Sequence, residues 1–246
     1  MQFTSDLHSK SPLVICLVVL ASLLSMPSPA SAEWFADLYA GAAYTPKSDI
    51  TLVVSLPSGP ADHTFHDVKW DTSPTFGGRL GYWFESAPWL GIGLDVFYFN
   101  ANIPTQTVST TILGVTAPAT LRAIDVSTTV AALDFALRYP LQVDQGFPKG
   151  RIQPYVTAGP AVFWTRAKNK ENTELTTEAA TDSATGYKVG AGLSWLFSQH
   201  AAVFAEFRYT HVHTEPVLNS ALSSLRVPLQ FDLDTQHVVA GVSYRF

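Results

Sequence analysis

Beyond residue 32 the chain alternates apolar and mixed side chains with a period of two. In the first such segment Trp34, Leu38 and Tyr44 fall on an apolar face, while Asp37 and Tyr39 fall on the other. Successive side chains of a β-strand point to opposite faces of a sheet, so this spacing predicts a strand. The pattern recurs in segments of about ten residues, the length that a tilted strand needs to cross a membrane. The segments are residues 34–44, 76–84, 90–98, 131–139, 155–164, 187–197, 201–209 and 238–246.

The connections between these segments alternate in length. Long ones (residues 46–75, 100–129, 166–185 and 211–236) are separated by shorter ones (residues 85–89, 140–151 and 198–200). Long extracellular loops and short periplasmic turns are typical of outer-membrane barrels. Residues 33–246 are therefore predicted to form an all-β protein, an eight-stranded antiparallel transmembrane up-and-down β-barrel with long extracellular loops and short periplasmic turns.

Composition separates this fold from a soluble β-barrel or β-sandwich, whose apolar face points inward. Charged residues make up only 14% of the chain, whereas an ordinary soluble domain has about 25%. Along the segments the charges and the mid-strand glycines share the non-apolar face, and aromatic residues stand at both ends of nearly every apolar face. This distribution favours an apolar face turned outward to lipid.

The charge and cysteine counts disfavour other classes of protein. The formal net charge of -5 does not favour nucleic-acid binding, which depends on basic side chains. A hydrophobic content of 47% excludes intrinsic disorder. The single cysteine excludes an intramolecular disulfide and a multi-cysteine metal site. We expect no cofactor and no nucleic-acid partner.

Residues 1–32 have the organisation of a secretory signal peptide. Lys10 precedes an apolar run at residues 13–24, and Ala30-Ser31-Ala32 follows it. The run is too short for a membrane-spanning helix, which needs about 20 residues, and the A-x-A sequence is a cleavage site for signal peptidase. We expect cleavage after Ala32.

The interior of an eight-stranded barrel is so narrow that side chains fill it. Charged residues with inward parity occur in the middle of most segments. They are the acids Asp37, Asp95, Asp134 and Glu206 and the bases Arg79, Arg138, Lys188 and Arg208. Because an unpaired buried charge costs several kcal/mol, we expect these four acids and four bases to form a closed ionic plug. The alternative is a path for protons or ions, since charges at membrane depth are often functional.

The sequences of the long connections predict local structure outside the membrane. Residues 51–54, 108–115 and 229–233 keep strand-like or apolar character, so some strands should continue outside the membrane. Such extensions either stabilise one another above the rim or form an apolar vestibule or a protein-binding surface. Residues 168–182 have the composition of a mobile polar loop.

Pro160 has no N–H to donate to the hydrogen-bond ladder of the predicted barrel wall. Strand pairing should therefore break there on one side, and a lateral opening would be easiest at that point.

Short motifs rich in glycine and aromatic residues recur along the predicted strands. They are residues 76–82 (FGGRLGY), 154–159 (PYVTAG), 190–193 (GAGL), 206–209 (EFRY) and 241–246 (GVSYRF). In this order and spacing they resemble the small outer-membrane β-barrels of the outer-membrane protein A-like superfamily. The resemblance covers the whole mature chain. It implies the outer membrane of a Gram-negative cell, with outer-membrane lipids and lipopolysaccharide as partners, but it implies no single activity.

The end of the chain is similar to the signal that such proteins present to the barrel-assembly machinery. Gly241, Tyr244 and Phe246 carry this similarity, and Val239 stands where the family has a polar residue. The resemblance implies contact with that machinery during biogenesis. We expect the folded protein to be a monomer.

Several histidines are candidate catalytic residues or metal ligands. Some barrels of this kind are lipid-modifying hydrolases, which place a histidine and a serine two residues apart on a lipid-facing strand. His211 and His213 have outward parity, but the nearest serines, Ser220, Ser223 and Ser224, lie farther along in the loop. His237 has inward parity and does not converge with them, and His63 and His66 are read as exposed loop residues rather than metal ligands.

We therefore expect a non-enzymatic integral protein of the outer membrane with a structural or surface-interaction role. Passive transport of a small hydrophobic solute through a lateral opening is the alternative. A lipid-modifying hydrolase is a third hypothesis.

The first prediction concerns export. The mature protein should begin at Glu33 and fractionate with the outer membrane, because the signal peptide directs secretion and is then removed. N-terminal sequencing of the membrane fraction measures both properties. Recovery of the intact 246-residue chain from the cytoplasm would contradict both the signal peptide and the barrel.

Overall fold

The computed structural model describes residues 33–56, 59–169, 180–219 and 226–246. Its strands, in chain order, are β1 (Glu33–Tyr44), β2 (Ser48–Leu56), β3 (Gly59–Val68), β4 (Ser73–Trp83), β5 (Leu90–Asn100), β6 (Gln106–Ile112), β7 (Val115–Leu121), β8 (Ile124–Arg138), β9 (Ile152–Asn169), β10 (Ala180–Leu196), β11 (Ala201–Thr214), β12 (Val217–Asn219) and β13 (Arg226–Arg245). Across these residues no helix is long and apolar enough to cross a membrane. The signal peptide expected at residues 1–32 lies outside the described residues and stays a prediction.

Eight of the described strands close into an antiparallel barrel, in the order β1, β4, β5, β8, β9, β10, β11 and β13. Strands β1 and β13 close it, pairing from Phe35 opposite Arg245 to Tyr44 opposite Gln236. Each barrel strand overlaps one of the segments expected from the period-two pattern. The predicted eight-stranded antiparallel barrel is therefore confirmed.

The apolar faces of the strands point outward. On β1 the outward Trp34 and Leu38 are 56% and 61% exposed, whereas the inward Phe35, Asp37 and Tyr39 are buried. Large apolar side chains in such a continuous outward band are stable against lipid rather than water. The alternation therefore has the orientation of a membrane barrel, not of a soluble one.

Several barrel strands run farther from the membrane than the sequence predicted. The loops expected at residues 166–185 and 211–236 are shorter, because β9 and β11 end later and β10 and β13 begin earlier. The inward side chains of these extensions, among them Ala167, Val212 and Leu233, are buried, so pairing continues beyond the bilayer. Most of the polar loop expected at residues 168–182 lies outside the described residues, and its described ends belong to β9 and β10.

Above the rim, β13 connects the barrel wall to what we call the extracellular sheet, formed by β2, β3, β6 and β7. Leu229 of β13 pairs with Leu52 of β2, and β2 forms a hairpin with β3. His63 of β3 then pairs with Ile112 of β6, which forms a second hairpin with β7. The predicted continuation of strands outside the membrane is confirmed.

The extracellular sheet covers an apolar core. Ile50, Phe65, Phe99 and Phe231 are all buried in it. The ring of Trp70 packs on that of Phe231 with their centroids 5.4 Å apart. The hairpins thus stabilise one another above the rim, and buried side chains fill the space where a vestibule was the alternative.

The ladder between β8 and β9 is interrupted at Pro160, as the missing N–H of proline predicts. Pairs form at Ala132 with Ala161 and at Phe135 with Ala158, but not at the two positions between them. On the other side β9 pairs with β10 without a break, including Tyr187 opposite Pro160. The expected one-sided break with intact flanking pairs is confirmed.

This break is not an opening between the strands. The register is the same on both sides of it, so no residue is bulged out. A β-carbon built on Gly159 would lie 1.7 Å from the carbonyl oxygen of Leu133, so the two backbones are in contact there. Only glycine leaves room for that approach.

Replacement of Gly159 by alanine should therefore destabilise the barrel wall. The added methyl group collides with backbone atoms, so β8 and β9 have to separate, and overpacking of this kind costs about 1–3 kcal/mol. The urea midpoint of the protein in lipid vesicles should fall. Gly93→Ala is the comparison variant and should lower the midpoint less, because the nearest atom to its β-carbon lies 3.3 Å away and has to move by only a few tenths of an ångström. Equal midpoints for the two variants would disprove the close approach at Gly159.

Candidate functional site

A group of charged side chains, the central cluster, lies in the middle of the barrel interior. Its members are Asp37 (β1), Arg79 (β4), Asp95 (β5), Asp134 (β8), Lys188 (β10), and Glu206 and Arg208 (β11), all buried. The strand register brings them to similar heights: Arg79 lies opposite Asp37 on one side and opposite Asp95 on the other. The cluster is therefore built from inward positions of six strands.

Arg79 binds the four carboxylates of the central cluster. Its Nη2 lies 2.6 Å from Glu206 Oε2 and 3.7 Å from Asp95 Oδ2. Its Nε lies 3.4 Å from Asp134 Oδ2, and its Nη1 lies 3.9 Å from Asp37 Oδ2. The forked guanidinium has five N–H donors and so serves several acids at once, which the point charge of a lysine does less well.

Lys188 and Arg208 bind three of these carboxylates from other strands. Lys188 Nζ contacts Asp95 and lies 2.6 Å from Asp134 Oδ2. Arg208 Nη2 lies 2.8 Å from Glu206 Oε1, and its Nη1 lies 3.2 Å from Asp95 Oδ2. Each of these three acids therefore has more than one cationic partner, which offsets the cost of removing the charges from water.

Two tyrosines, which the sequence analysis did not include among the charged plug residues, also bind the central cluster. Tyr39 donates its hydroxyl proton to Asp95, and the guanidinium carbon of Arg208 lies 4.4 Å from the centre of the Tyr39 ring. Tyr155 donates to Glu206 Oε2 across 2.8 Å. Both have the inward parity of the charged residues, and that parity was the available signal.

The remaining predicted plug residue, Arg138, lies in a second group, the periplasmic cluster. Arg138 Nη2 lies 2.8 Å from Glu33 Oε2. Arg245 Nη1 and Lys149 Nζ each lie 2.9 Å from the same carboxyl group. The side chains of Glu33, Arg138 and Arg245 are almost fully buried, whereas that of Lys149 is half exposed.

The expectation that Arg138 balances the central acids is therefore wrong. Arg138 lies four residues beyond Asp134 on β8, which is about 13 Å along a strand. The central cluster has four acids and three bases. Glu33 and Arg245 were missed because they lie at strand ends, where only their parity marks them as inward.

A cavity of about 30 Å³ lies between the two clusters. Asp37 and Arg79 of the central cluster line it together with Arg138 and Arg245 of the periplasmic cluster. Ser194 Oγ and Arg245 Nε, which belong to lining residues, have no protein partner among the described residues. The volume suits about one or two water molecules, which would satisfy these atoms. It is too small for an organic solute.

Apolar side chains and one histidine fill the lumen on the extracellular side of the central cluster. His237 is buried, with its Nε2 3.2 Å from Thr210 Oγ1. The rings of Phe97 and Phe99 meet the His237 ring edge-on, with centroid distances of 5.5 and 4.9 Å. His237 therefore points inward, as its parity predicted, and contributes to a closed apolar layer.

The outward histidines lie beside carboxylates at the extracellular end of β11. His211 Nδ1 lies 2.7 Å from Asp234 Oδ1, and His213 Nδ1 lies 2.7 Å from Asp232 Oδ1. The hydrogen bond that His213 donates to Asp232, followed by the one that it donates to Glu215, raises the pKa of His213. In the described part of the chain no serine is hydrogen-bonded to either histidine. The loop serines predicted as the nearest nucleophiles, Ser220, Ser223 and Ser224, lie outside the described residues.

His63 and His66, which were expected to be exposed loop residues, lie instead in strand β3 of the extracellular sheet and are partly buried. His66 Nδ1 lies 3.0 Å from Asp49 Oδ2, and its Nε2 lies 3.0 Å from Thr111 Oγ1. His63 stacks on the ring of Phe65, with the centroids 4.3 Å apart. Throughout the described ranges, no group of three or more His, Cys, Asp or Glu side chains is arranged to hold a metal ion.

The residues of the predicted assembly signal lie at the closing seam. Phe246 donates its backbone N–H to the carbonyl oxygen of Trp34 across 2.9 Å. The rings of Tyr244 and Phe246 meet edge-on with their centroids 5.1 Å apart, and Tyr244 faces outward. Gly241 lies so near β1 that a β-carbon there would be 2.3 Å from the carbonyl oxygen of Leu38. Recognition of these residues by the assembly machinery stays a prediction.

Comparison with known proteins finds the same architecture. The family model described as "Outer membrane protein beta-barrel domain" matches residues 16–246. The structure is similar to that of the outer membrane protein OprG from Pseudomonas aeruginosa, with a TM-score of 0.55, 16% identity, and coverage of 88% of this chain and 96% of that chain. Neisserial surface protein A (NspA) gives a TM-score of 0.46 and 14% identity over 87% of this chain and 97% of its own. Ail, the attachment invasion locus protein of Yersinia pestis, gives 0.42 and 12% over 88% and 99%. No curated protein matches the chain.

Removal of Arg79 should destabilise the barrel. In Arg79→Ala four acids are left with Lys188 and Arg208 only, and breaking a buried ion pair typically costs about 3–5 kcal/mol. Glu206→Ala should act in the same direction, because it leaves two guanidinium groups short of a partner. Urea unfolding in lipid vesicles measures both effects, with Lys47→Ala as the control at an exposed cation. A midpoint for Arg79→Ala equal to that of the control would mean that the central cluster does not stabilise the barrel.

Proposed function

Because the chain belongs to the outer membrane protein beta-barrel domain family, we propose that it is a closed, non-enzymatic barrel that displays an interaction surface outside the cell. Its location is the outer membrane. The barrel anchors the extracellular sheet, and the sheet makes the functional contact. The tip of the β6–β7 hairpin is the observation that supports this role most strongly.

The β6–β7 hairpin is uncharged and ends in apolar residues. Residues 106–121 contain no Asp, Glu, Lys or Arg. At the tip Leu113 is 76% exposed and Val115 is 69% exposed, and Ile112 is exposed beside them. An exposed apolar group on an extracellular hairpin has no membrane to cover it, and such groups often mark sites of protein interaction.

The backbone at the tip strengthens this interpretation. Leu113 has a φ of 51° and Gly114 a φ of 79°, which is the conformation of a two-residue hairpin turn with both central residues in the left-handed region. Asn, Asp and Gly favour the first of these positions, whereas a leucine there is strained. The stability of the hairpin therefore does not account for a leucine at position 113. We attribute the leucine to contact with a partner.

The filled interior supports a role outside the lumen. The periplasmic cluster, the central cluster and the apolar layer around His237 succeed one another along the barrel, and nearly all of their charged side chains are buried, with Lys149 the half-exposed exception. The cavity between the two clusters has a volume of about 30 Å³. A solute would have to displace paired charges, which costs several kcal/mol for each unpaired group.

Lateral transport of a small hydrophobic solute is the second candidate, and the break in the ladder at Pro160 favours it. A wall without two successive pairs separates more easily than a continuous ladder. However, the contact between Gly159 and Leu133 closes the wall at this point, and the lumen behind it holds Asp134 and Lys188 in an ion pair. The geometry therefore favours the surface role.

The test places a photo-crosslinking amino acid at the tip of the hairpin in living cells. With the probe at Leu113 or Val115 we expect a discrete crosslinked product, because these side chains contact the partner. The matched control is Thr107, which is exposed at the base of the same hairpin. Leu113→Asn should abolish the product from Val115 without loss of stability, since asparagine suits the left-handed turn and removes the apolar side chain.

Two results would overturn the proposal. Absence of a product at both tip positions, with normal amounts of protein in the outer membrane, would exclude the tip as a contact site. Uptake of a hydrophobic dye into proteoliposomes faster than into protein-free vesicles would support the lateral route instead.

A further inference from the structure

The outer wall of the β5–β8–β9 sector changes in character just above its aromatic residues. Tyr98 on β5 and Trp164 on β9 face outward near the extracellular ends of these strands. The next outward positions are Asn100, Ser127 and Arg166, which the register aligns across the three strands. The following outward position on β9 is Lys168. From one outward position to the next, the outer wall therefore changes from apolar and aromatic side chains to polar and basic ones.

The distance of these groups from the outward aromatic residues places them at the level of the lipid headgroups. Outward aromatic side chains of a barrel lie at the membrane–water interface. Arg166 is two residues beyond Trp164, about 7 Å along the strand, and Lys168 is four residues beyond it, about 13 Å. Because barrel strands tilt by about 35–45°, these lengths correspond to heights of about 5 and 10 Å. The headgroup region of a bilayer extends about 5–8 Å beyond the hydrocarbon on each side. Arg166 therefore lies among the headgroups and Lys168 at their outer boundary.

These residues line a surface groove of about 530 Å³. Arg166 and Lys168 are both exposed, and neither forms an ion pair with any described residue. Asp125, opposite Lys168 in the strand register, is the one carboxylate that lines the groove. Two cations and one anion leave the groove with a positive formal charge, so an anionic ligand suits it.

Two asparagines in the groove have their amide oxygens already occupied. The Oδ1 of Asn100 accepts a hydrogen bond from the Tyr98 hydroxyl across 2.7 Å. The Oδ1 of Asn102 accepts one from the backbone N–H of Val126 across 3.0 Å. Each amide is thereby oriented with its NH2 group available as a donor. The groove thus offers donors to a ligand that is rich in acceptor oxygens.

The described outward positions at the extracellular ends of β11 and β13 have no such excess of positive charge. On β11 and β13, the outward positions above Tyr209 hold His211 and His213 paired with Asp234 and Asp232. An anionic headgroup is therefore attracted to the β5–β8–β9 sector and not to this one. The asymmetry favours a defined binding site over a uniform ring of headgroups.

We propose that this groove binds a phosphate group of lipid A, the phosphorylated glycolipid that anchors lipopolysaccharide in the outer leaflet. Arg166 binds phosphate oxygens through its forked guanidinium, and Lys168 adds a point charge at the outer boundary. The amides of Asn100 and Asn102 and the hydroxyl of Ser127 donate to phosphate or sugar oxygens. The inference goes beyond the surface role of the hairpin and does not depend on it.

The test measures lipid retention by native mass spectrometry on protein purified from the outer membrane, stripped of lipid and titrated with defined lipids. The probes are bisphosphorylated lipid A, dephosphorylated lipid A, phosphatidylglycerol and inorganic phosphate. Hydrogen bonds to charged groups contribute about 1.5–3 kcal/mol, so we expect at least about tenfold tighter binding of lipid A with its phosphates than without them.

The variants test the residues of the groove. Arg166→Gln combined with Lys168→Gln should lower the affinity for lipid A at least about tenfold, because both cations are removed. Arg166→Lys should give an intermediate affinity, since the charge stays and the fork is lost. The matched control is Lys47→Gln combined with Lys69→Gln, which removes two exposed extracellular cations elsewhere. All variants should keep the wild-type urea midpoint, because the changed side chains are exposed.

Three results would overturn the proposal. Equal retention of lipid A by the wild type and the Arg166/Lys168 double variant would exclude the groove. Equal retention of dephosphorylated lipid A would exclude the phosphate as the recognised group. Binding of phosphatidylglycerol or inorganic phosphate as tight as that of lipid A would exclude the glycolipid as the specific ligand.

Discussion

Eight strands leave room inside the barrel for side chains only, so a charge there has to find its partner within the protein. Arg79 meets this requirement for four carboxylates, and Lys188 and Arg208 bind three of them a second time. The partners come from six strands. Because side chains alternate between the two faces, a shift of one residue in any of these strands would turn its charge toward lipid. The ion pairs and the strand register therefore specify each other.

The sequence predicted the barrel well because its main signal, the period of two, is local. Every segment of alternating residues became part of a barrel strand, and Pro160 marked the break in the ladder correctly. The position of a residue in the period-two pattern shows which face of the strand its side chain lies on, but not its height along the barrel. Arg79 and Arg138 have the same parity, yet one lies in the central cluster and the other binds Glu33 at the periplasmic end. The expected single plug therefore became two clusters.

A local sequence pattern could not predict contacts between residues that are far apart in the chain. Residues 51–54 and 229–233 were each strand-like, but nothing in either stretch shows that Leu52 pairs with Leu229. The same limit applies to the groove beside Arg166, which combines side chains from β5, β8 and β9 with the turn that follows β5. Its basic residues were visible in the sequence, but their alignment with two asparagines depends on the strand register.

The length of β13 joins two parts of the molecule that would otherwise be independent. This strand pairs with β11 and β1 in the barrel, and its extracellular part also pairs with β2 and β12. Leu229, Gln230 and Phe231 pair with β2, and the same strand continues into the barrel wall. Because one continuous strand belongs to both sheets, any loss of pairing along β13 would weaken the closing seam of the barrel and the extracellular sheet together.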